Sequence, residues 1–181
     1  MTENDDYTLK ILLLGKEGVG KTSIAKKYVF KKFNQSFKST IGLDILVHKV
    51  MVDKIRYNLQ IWDFAGQESL KFIRKAFYDA VNGIILIFDL TDPDSLDRAR
   101  NWVKESKENL KKEIPVVVAA NKHDLTDRIR ITDEEASEFV KKSALTRPVL
   151  KTSALNGENI QDLFSKLIRE VKKQLSSNRV H

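Results

Sequence analysis

Residues 15–22 read GKEGVGKT and follow an apolar run at residues 9–14. The stretch matches the pattern G-x-x-x-x-G-K-[ST], in which glycines let successive backbone N–H groups turn toward phosphate oxygens. A strand before it and a helix at residues 21–30 would place the loop at a helix N-terminus, which favours anions. The pattern therefore predicts a phosphate-binding loop whose contacts come from Gly15, Lys16, Glu17, Gly18, Val19, Gly20, Lys21, Thr22 and Ser23.

Three side chains of this loop carry predicted chemistry. The pattern assigns Lys21 to the terminal phosphates of a nucleotide and the Thr22 hydroxyl to Mg²⁺. Glu17 is unexpected, because a carboxylate about 4 Å from a phosphate is repelled by roughly 1–4 kcal/mol per charge at surface-like dielectrics. A side chain on a convex loop can point into solvent, so we expect nucleotide binding to survive.

Length and composition describe one soluble domain. The chain has 181 residues, of which 41% are hydrophobic and 31% charged, as in globular rather than disordered proteins. It contains no cysteine, which excludes disulfides, thiolate metal sites and lipidation on cysteine. The first ten residues, MTENDDYTLK, do not resemble a signal peptide, and the apolar runs are too short to span a bilayer. We predict a cytoplasmic protein.

The net charge of +7 is compatible with a nucleic-acid or membrane partner, or with a lysine-rich solvated surface. Lysine pairs are spread along the chain, and basic residues do not interleave with aromatic ones as in a base-stacking surface. The solvated surface is therefore the favoured interpretation, and we predict no nucleic-acid partner.

Apolar runs alternate with helical patterns along the chain, which predicts an α/β fold. The predicted strands are 9–14, 43–52, 55–63, 83–90, 114–120 and 148–152, with a hairpin turn at Asp53–Lys54. The predicted helices are 21–30, 94–110, one opened by a capping box at Thr132, and 160–175. This order favours a mostly parallel six-stranded sheet with one antiparallel strand and helices on both faces. Ligands of such sheets bind beyond the carboxyl ends of the strands.

Two segments at predicted strand ends have the chemistry to read a base. Asn121-Lys122-His123-Asp124 follows one strand, and the Asp124 carboxylate can accept from the ring N–H and the exocyclic amine of guanine. Taken alone, these four residues are equally compatible with a solvated turn. Thr152-Ser153-Ala154 ends the next apolar run, and its backbone is placed to meet the guanine O6.

The segment WDFAGQE at residues 62–68 ends another predicted strand. Asp63 is placed to hold the hydration shell of Mg²⁺, Gly66 to offer its N–H to the γ-phosphate, and Gln67 to orient an attacking water. Thr40, in a polar loop at residues 33–40, has a hydroxyl suited to Mg²⁺, although a turn-forming threonine explains it equally well.

Together GKEGVGKT, STIGLD, LQIWDFAGQE, NKHD and TSAL resemble the motifs of Ras-superfamily small GTPases. Within that superfamily, their residues are most similar to those of Rab proteins. The resemblance spans residues 9–175 and implies a GTPase domain at 8–176 between flexible ends at 1–7 and 177–181. It implies GTP and GDP as ligands with Mg²⁺, and GTP hydrolysis. The residues it assigns are catalytic Gln67, Lys21 and Thr40; metal-binding Thr22, Thr40 and Asp63; and nucleotide-binding Phe33, Gly66, Asn121, Lys122, Asp124, Ser153, Ala154 and Leu155 in addition to the phosphate loop.

The resemblance also implies an exchange factor, an activating protein and effectors for a monomeric switch. Ile45, Trp62 and Phe77 correspond to the apolar patch that Rab effectors contact, although Ile45 and Trp62 are equally suited to covering the sheet. Without cysteine for prenylation, we expect membrane contact to be weak or partner-mediated. Leu155 stands where many relatives have lysine, which leaves the backbone role of Ala154 intact.

Glu17 stands where Ras proteins have glycine, so we expect slow intrinsic hydrolysis and an effect on an activator's arginine. Two other classes stay open. One is a nucleotide-held interaction module with negligible hydrolysis, which the presence of Gln67, Thr40, Asp63 and Lys21 disfavours. The other is an ATP-using kinase, which NKHD disfavours.

Overall fold

The structure, a computed structural model, describes residues 7–31, 42–64, 75–145 and 148–177. Its strands are β1 Tyr7–Leu14, β2 Leu43–Val52, β3 Ile55–Phe64, β4 Gly83–Asp89, β5 Val116–Asn121 and β6 Leu150–Lys151. Its α-helices are α1 Lys21–Phe30, α2 Pro93–Asn109, α3 Asp133–Lys142 and α4 Ile160–Ser177, with 3₁₀ turns at Lys75–Tyr78 and Thr126–Arg128.

The strands form one six-stranded sheet in the order β2-β3-β1-β4-β5-β6. β2 pairs antiparallel with β3, and the other neighbours are parallel, which confirms the predicted fold class. All seven residues of β4, GIILIFD, are buried, as expected of a parallel strand covered on both faces.

Helices cover both faces of the sheet. On one face α1 and α4 share a core in which the rings of Tyr28 and Phe164 stack with centroids 3.8 Å apart. On the other face α2 and α3 pack against the sheet, and Phe139 of α3 meets Phe88 of β4 edge to face with ring centroids 6.3 Å apart. The described helices include none that is long and apolar enough to cross a membrane.

Local chemistry explains where the elements begin and end. Asp53 and Lys54 have φ of 49° and 65°, the left-handed pair of a two-residue hairpin turn, and Val52 pairs with Ile55 across it. At the start of α3 the Thr132 side chain accepts from the Glu135 N–H at 3.2 Å, and the Glu135 carboxylate accepts from the Thr132 N–H at 2.8 Å. The predicted hairpin and capping box are both confirmed.

Two strands are shorter than predicted, and each begins after a proline. β5 begins at Val116, just after Pro115, and β6 at Leu150, two residues after Pro148. Proline has no N–H to donate to a sheet ladder, which fits the start of β5 directly after Pro115. β5 in turn extends through Asn121, one residue beyond its predicted end.

The register brings four carboxyl strand ends to one edge of the sheet. Leu13 of β1 lies beside Asp63 of β3, and Asp89 of β4 lies beside Asn121 of β5. The loop at residues 15–20 leaves from the same edge. The side chains singled out by their positions at strand ends are therefore neighbours in space.

Candidate functional site

The loop between β1 and α1 folds around its own lysine. Lys21 is only 6% exposed, and its ammonium donates to the carbonyl oxygens of Gly15 at 2.9 Å and Lys16 at 3.0 Å. A buried ammonium needs such partners, since burial without them is costly. The loop therefore holds a cation at its centre, where the predicted phosphate contacts converge.

Asn121 ties this loop to the end of β5. Its Nδ2 donates to the Val19 carbonyl at 2.8 Å, and both groups are buried. Gly20, the N-cap of α1, has φ of 100°, and a Cβ there would lie 2.4 Å from Asn121 Nδ2. Glycine at this position allows both the left-handed backbone and the close approach of the asparagine.

Two oxygen ligands predicted for a metal lie together beside the loop. The Thr22 hydroxyl donates to Asp63 Oδ2, and Asp63 is 1% exposed. In the part of the chain that the structure describes, no three His, Cys, Asp or Glu side chains form a metal-binding group. Mg²⁺ takes one or two carboxylates and completes its shell with water and substrate phosphates, so Thr22 and Asp63 fit that ion.

The segments 121–124 and 152–155 form one unit. Ser153 Oγ donates to Asp124 Oδ1 at 2.5 Å, and the Ala154 N–H donates to Asn121 Oδ1 at 3.3 Å. The His123 N–H reaches the Thr152 carbonyl at 3.0 Å. Two loops distant in sequence thus present the Asp124 carboxylate and the Ala154 backbone together.

Lys122 has a partner that the sequence analysis missed. Its ammonium lies 2.6 Å from Asp89 Oδ2, at the carboxyl end of β4. Asp89 closes an otherwise apolar strand, and that carboxylate is a signal in the sequence that could have identified it.

Lys16 directs its charge toward α2, and the neighbouring Glu17 lies on the loop's surface. Lys16 Nζ lies 2.7 Å from Asp92 and 2.8 Å from Asp94 at the start of α2, and these hydrogen bonds raise the pKa of Lys16. The same contact lowers the pKa of Asp94. Glu17 is exposed, as expected of a side chain on the outer surface of the loop. The two acidic partners of Lys16 were also missed from the sequence.

Some of the remaining predicted site residues lie within the described part of the chain, and others lie outside it. Val19 and Ser23 are buried, and Leu155 is 44% exposed with its carbonyl accepting from Lys27 Nζ at 3.1 Å. Of the other assignments, those outside the described residues are Phe33, Thr40, Gly66 and Gln67.

The predicted partner patch is described in full. The rings of Trp62 and Phe77 lie 5.6 Å apart, and Ile45, 43% exposed, pairs with Trp62 across the β2–β3 ladder. Lys10 Nζ sits 3.9 Å above the Trp62 ring. The three residues thus form one apolar group beside a cation.

Known proteins match nearly the whole chain. The Ras family model matches residues 10–173. Ras-related protein Rab-8A of Pongo abelii is 33% identical over 175 residues, covering 97% of this chain and 84% of that protein. Ras-related protein Rab-13 of Rattus norvegicus is 34% identical over 171 residues, covering 94% of this chain and 83% of that protein. The chain therefore belongs to the Ras family, as a Rab-like small GTPase that hydrolyses GTP.

Proposed function

We propose that this GTPase is a Mg²⁺-dependent switch whose nucleotide lies along the carboxyl edge of the sheet, with its phosphates on residues 15–22 and its guanine on residues 121–124 and 153–155. The observation that carries the proposal is the double contact of Asn121. One end of its amide binds Val19 of the phosphate loop, and the other accepts from Ala154. One buried side chain thus joins the two segments that a single nucleotide would have to span.

The base is recognised through Asp124. The Ser153 hydroxyl holds Oδ1 of this carboxylate in place. Guanine offers a ring N–H and an exocyclic amine as a pair of donors, which adenine lacks, so a fixed carboxylate selects guanine. This property separates the switch from an ATP-using kinase.

Replacing Asp124 by asparagine tests the base assignment. The protein should discriminate strongly between GDP and IDP, whose base lacks the exocyclic amine, because a buried polar group left unpaired costs about 1–3 kcal/mol. Asp124→Asn should weaken GDP binding and remove most of that discrimination. Titration with the fluorescent forms of both nucleotides measures the two affinities, and an unchanged ratio would contradict the assignment.

The phosphates are held by Lys21 and the backbone amides of the loop. Thr22 and Asp63 are the proposed protein ligands of Mg²⁺. Thr40 is proposed as a third ligand, because the resemblance to the family assigns its hydroxyl to the ion. Bound there, Mg²⁺ would neutralise charge that builds up on the phosphate oxygens. Gly66 is proposed to offer its N–H to the γ-phosphate and Gln67 to orient the attacking water.

Glu17 is proposed to slow hydrolysis or to alter its activation. Its exposed carboxylate stands on the outer side of the loop, on the approach that an activator's arginine would take. Single-turnover hydrolysis by wild type and Glu17→Gly, each with and without an activating protein, measures the effect. We expect the variant to differ in at least one of the two conditions, and equal rates in both would refute the proposal.

Effectors are proposed to dock on the patch of Ile45, Trp62 and Phe77. A pull-down with GTP-loaded and GDP-loaded protein would identify partners specific to one state. Ile45→Asp should remove those partners, whereas Met51→Asp should keep them. Met51 is 65% exposed on the same strand and provides the matched control.

A monomeric state and a cytoplasmic location stay predictions of the sequence.

A further inference from the structure

The segment DLTDPD, residues 89–94, lies beside the proposed nucleotide site without belonging to any of its motifs. Its first residue, Asp89, is a buried carboxylate whose side chain is 7% exposed. Oδ1 accepts from the Thr91 N–H at 2.8 Å and from the Thr91 hydroxyl at 2.7 Å. Oδ2 lies 2.6 Å from the Lys122 ammonium. The carboxylate is therefore held from one side and presents its other oxygen to a single lysine.

The other end of the segment is fixed to the phosphate loop. Asp92 is the N-cap residue of α2, yet its side chain makes no capping hydrogen bond to that helix. Aspartate is favoured at an N-cap because its carboxylate can accept from a free N–H of the first helical turn. Asp92 does not make that hydrogen bond. The carboxylate instead binds Lys16 at 2.7 Å.

An ion pair between exposed side chains adds little to the stability of a protein. Here Asp89 is buried and Lys122 is 34% exposed, so desolvation of the carboxylate offsets much of the attraction. The Asp89–Lys122 pair is therefore expected to contribute little to the stability of the fold. What it does provide is a fixed direction for the Lys122 side chain, whose left-handed backbone, with φ of 65°, already confines it.

We propose that Asp89 is a positioning residue for nucleotide binding: it holds Lys122 in place against the nucleotide, and Thr91 holds Asp89. The inference rests on the proposed function, since Lys122 is assigned to the nucleotide there. Asp89 itself contacts no nucleotide atom in this arrangement and acts only through the lysine.

Asp89→Asn is a suitable test because asparagine keeps the shape and the Oδ1 acceptor for Thr91 but loses the charge facing Lys122. The measurement is the release rate of fluorescent GDP from the full chain with Mg²⁺, for wild type, Asp89→Asn, Lys122→Ala and the double variant. We expect release at least tenfold faster in Asp89→Asn, equivalent to about 1.4 kcal/mol. The double variant should release GDP no faster than Lys122→Ala alone, because Asp89 then has nothing to position.

Two results would overturn the inference: rates that multiply in the double variant, or a wild-type rate in Asp89→Asn when Lys122→Ala is fast. If Lys122→Ala itself releases GDP at the wild-type rate, the base site of the proposed function fails, and the inference fails with it.

A second variant guards against misfolding of Asp89→Asn. Thr91→Val removes one hydrogen bond to Asp89 while leaving the carboxylate charged, and it should accelerate release by a smaller factor that also disappears in the Lys122→Ala background. Asp97→Asn is the matched control. Asp97 pairs with Arg100 on the exposed surface of α2, so its loss should leave the rate unchanged.

Discussion

Replacing Gly20 by alanine tests whether the loop between β1 and α1 is packed against Asn121 at the end of β5. Gly20 has φ of 100°, and a Cβ would lie 2.4 Å from Asn121 Nδ2, closer than such atoms can approach. The asparagine would have to move, and its hydrogen bond to the Val19 carbonyl would be lost. Gly18 is the control, because its φ of 83° is similar but nothing lies within 4 Å of its Cβ position.

The expected cost has two parts. A left-handed backbone costs a residue other than glycine about 1–2 kcal/mol, and this part is common to both alanine variants. Leaving a buried acceptor such as the Val19 carbonyl without its donor costs about 1–3 kcal/mol more, and this part applies to Gly20 alone. Gly20→Ala should therefore lose about 2–5 kcal/mol of unfolding free energy and Gly18→Ala about 1–2 kcal/mol.

Denaturant unfolding of both variants and wild type measures these losses, provided that bound GDP is taken into account. A ligand that binds only the folded state adds about 1.4 kcal/mol for each tenfold increase above its dissociation constant. Unfolding at several GDP concentrations separates this contribution from the intrinsic loss. Equal intrinsic losses for Gly18→Ala and Gly20→Ala would refute the contact with Asn121.

Three further substitutions test the packing. Tyr28 is buried with no hydrogen-bond partner for its hydroxyl in the described structure, so Tyr28→Phe should stabilise the fold by about 1 kcal/mol in thermal unfolding. Burial also raises the pKa of Tyr28 to about 12, so wild-type stability should be complete below pH 10 and fall as the pH rises toward 12, a decline that Tyr28→Phe should reduce. Thr132→Ala removes the capping box of α3 and should cost about 1 kcal/mol in denaturant unfolding, whereas Thr132→Ser should cost almost nothing. Phe139 of α3 is fully buried, so replacing it by alanine should cost about 3–5 kcal/mol, and a loss below 1 kcal/mol would contradict its place in the core.

The fold was predictable where local sequence decides the backbone. Asp53 and Lys54 separate two strand patterns by two residues, and this length selects a turn with two left-handed residues. The capping box at Thr132 was predictable for the same reason, since its two hydrogen bonds join residues three positions apart. The start of β5 was placed too early because the apolar pattern that marks a strand includes Ile114 and Pro115, and proline has no N–H to donate to the ladder.

The candidate site was only partly predictable, because ion pairs between distant segments leave no periodic pattern in a sequence. Lys16 and Asp92 are 76 positions apart, and neither belongs to a motif that names the other. Asp89 differs, since a lone carboxylate closing an apolar strand could have been noticed. Its partner could not, because the register between β4 and β5 decides that Asp89 lies beside Asn121 and therefore next to Lys122.

The pair Lys16–Glu17 shows how the structure changes the meaning of a motif. In the sequence, a lysine and a glutamate side by side in an anion-binding loop suggest opposing effects on a phosphate. In the structure, Asp92 and Asp94 take up the charge of Lys16 and Glu17 faces the exposed side of the loop. Under the proposed function, attraction for the phosphates comes from Lys21 and the backbone amides, the parts of the loop that the glycine pattern itself specifies. Because Glu17 lies on the exposed side of the loop, its proposed effect falls on hydrolysis and on an activating partner rather than on this attraction.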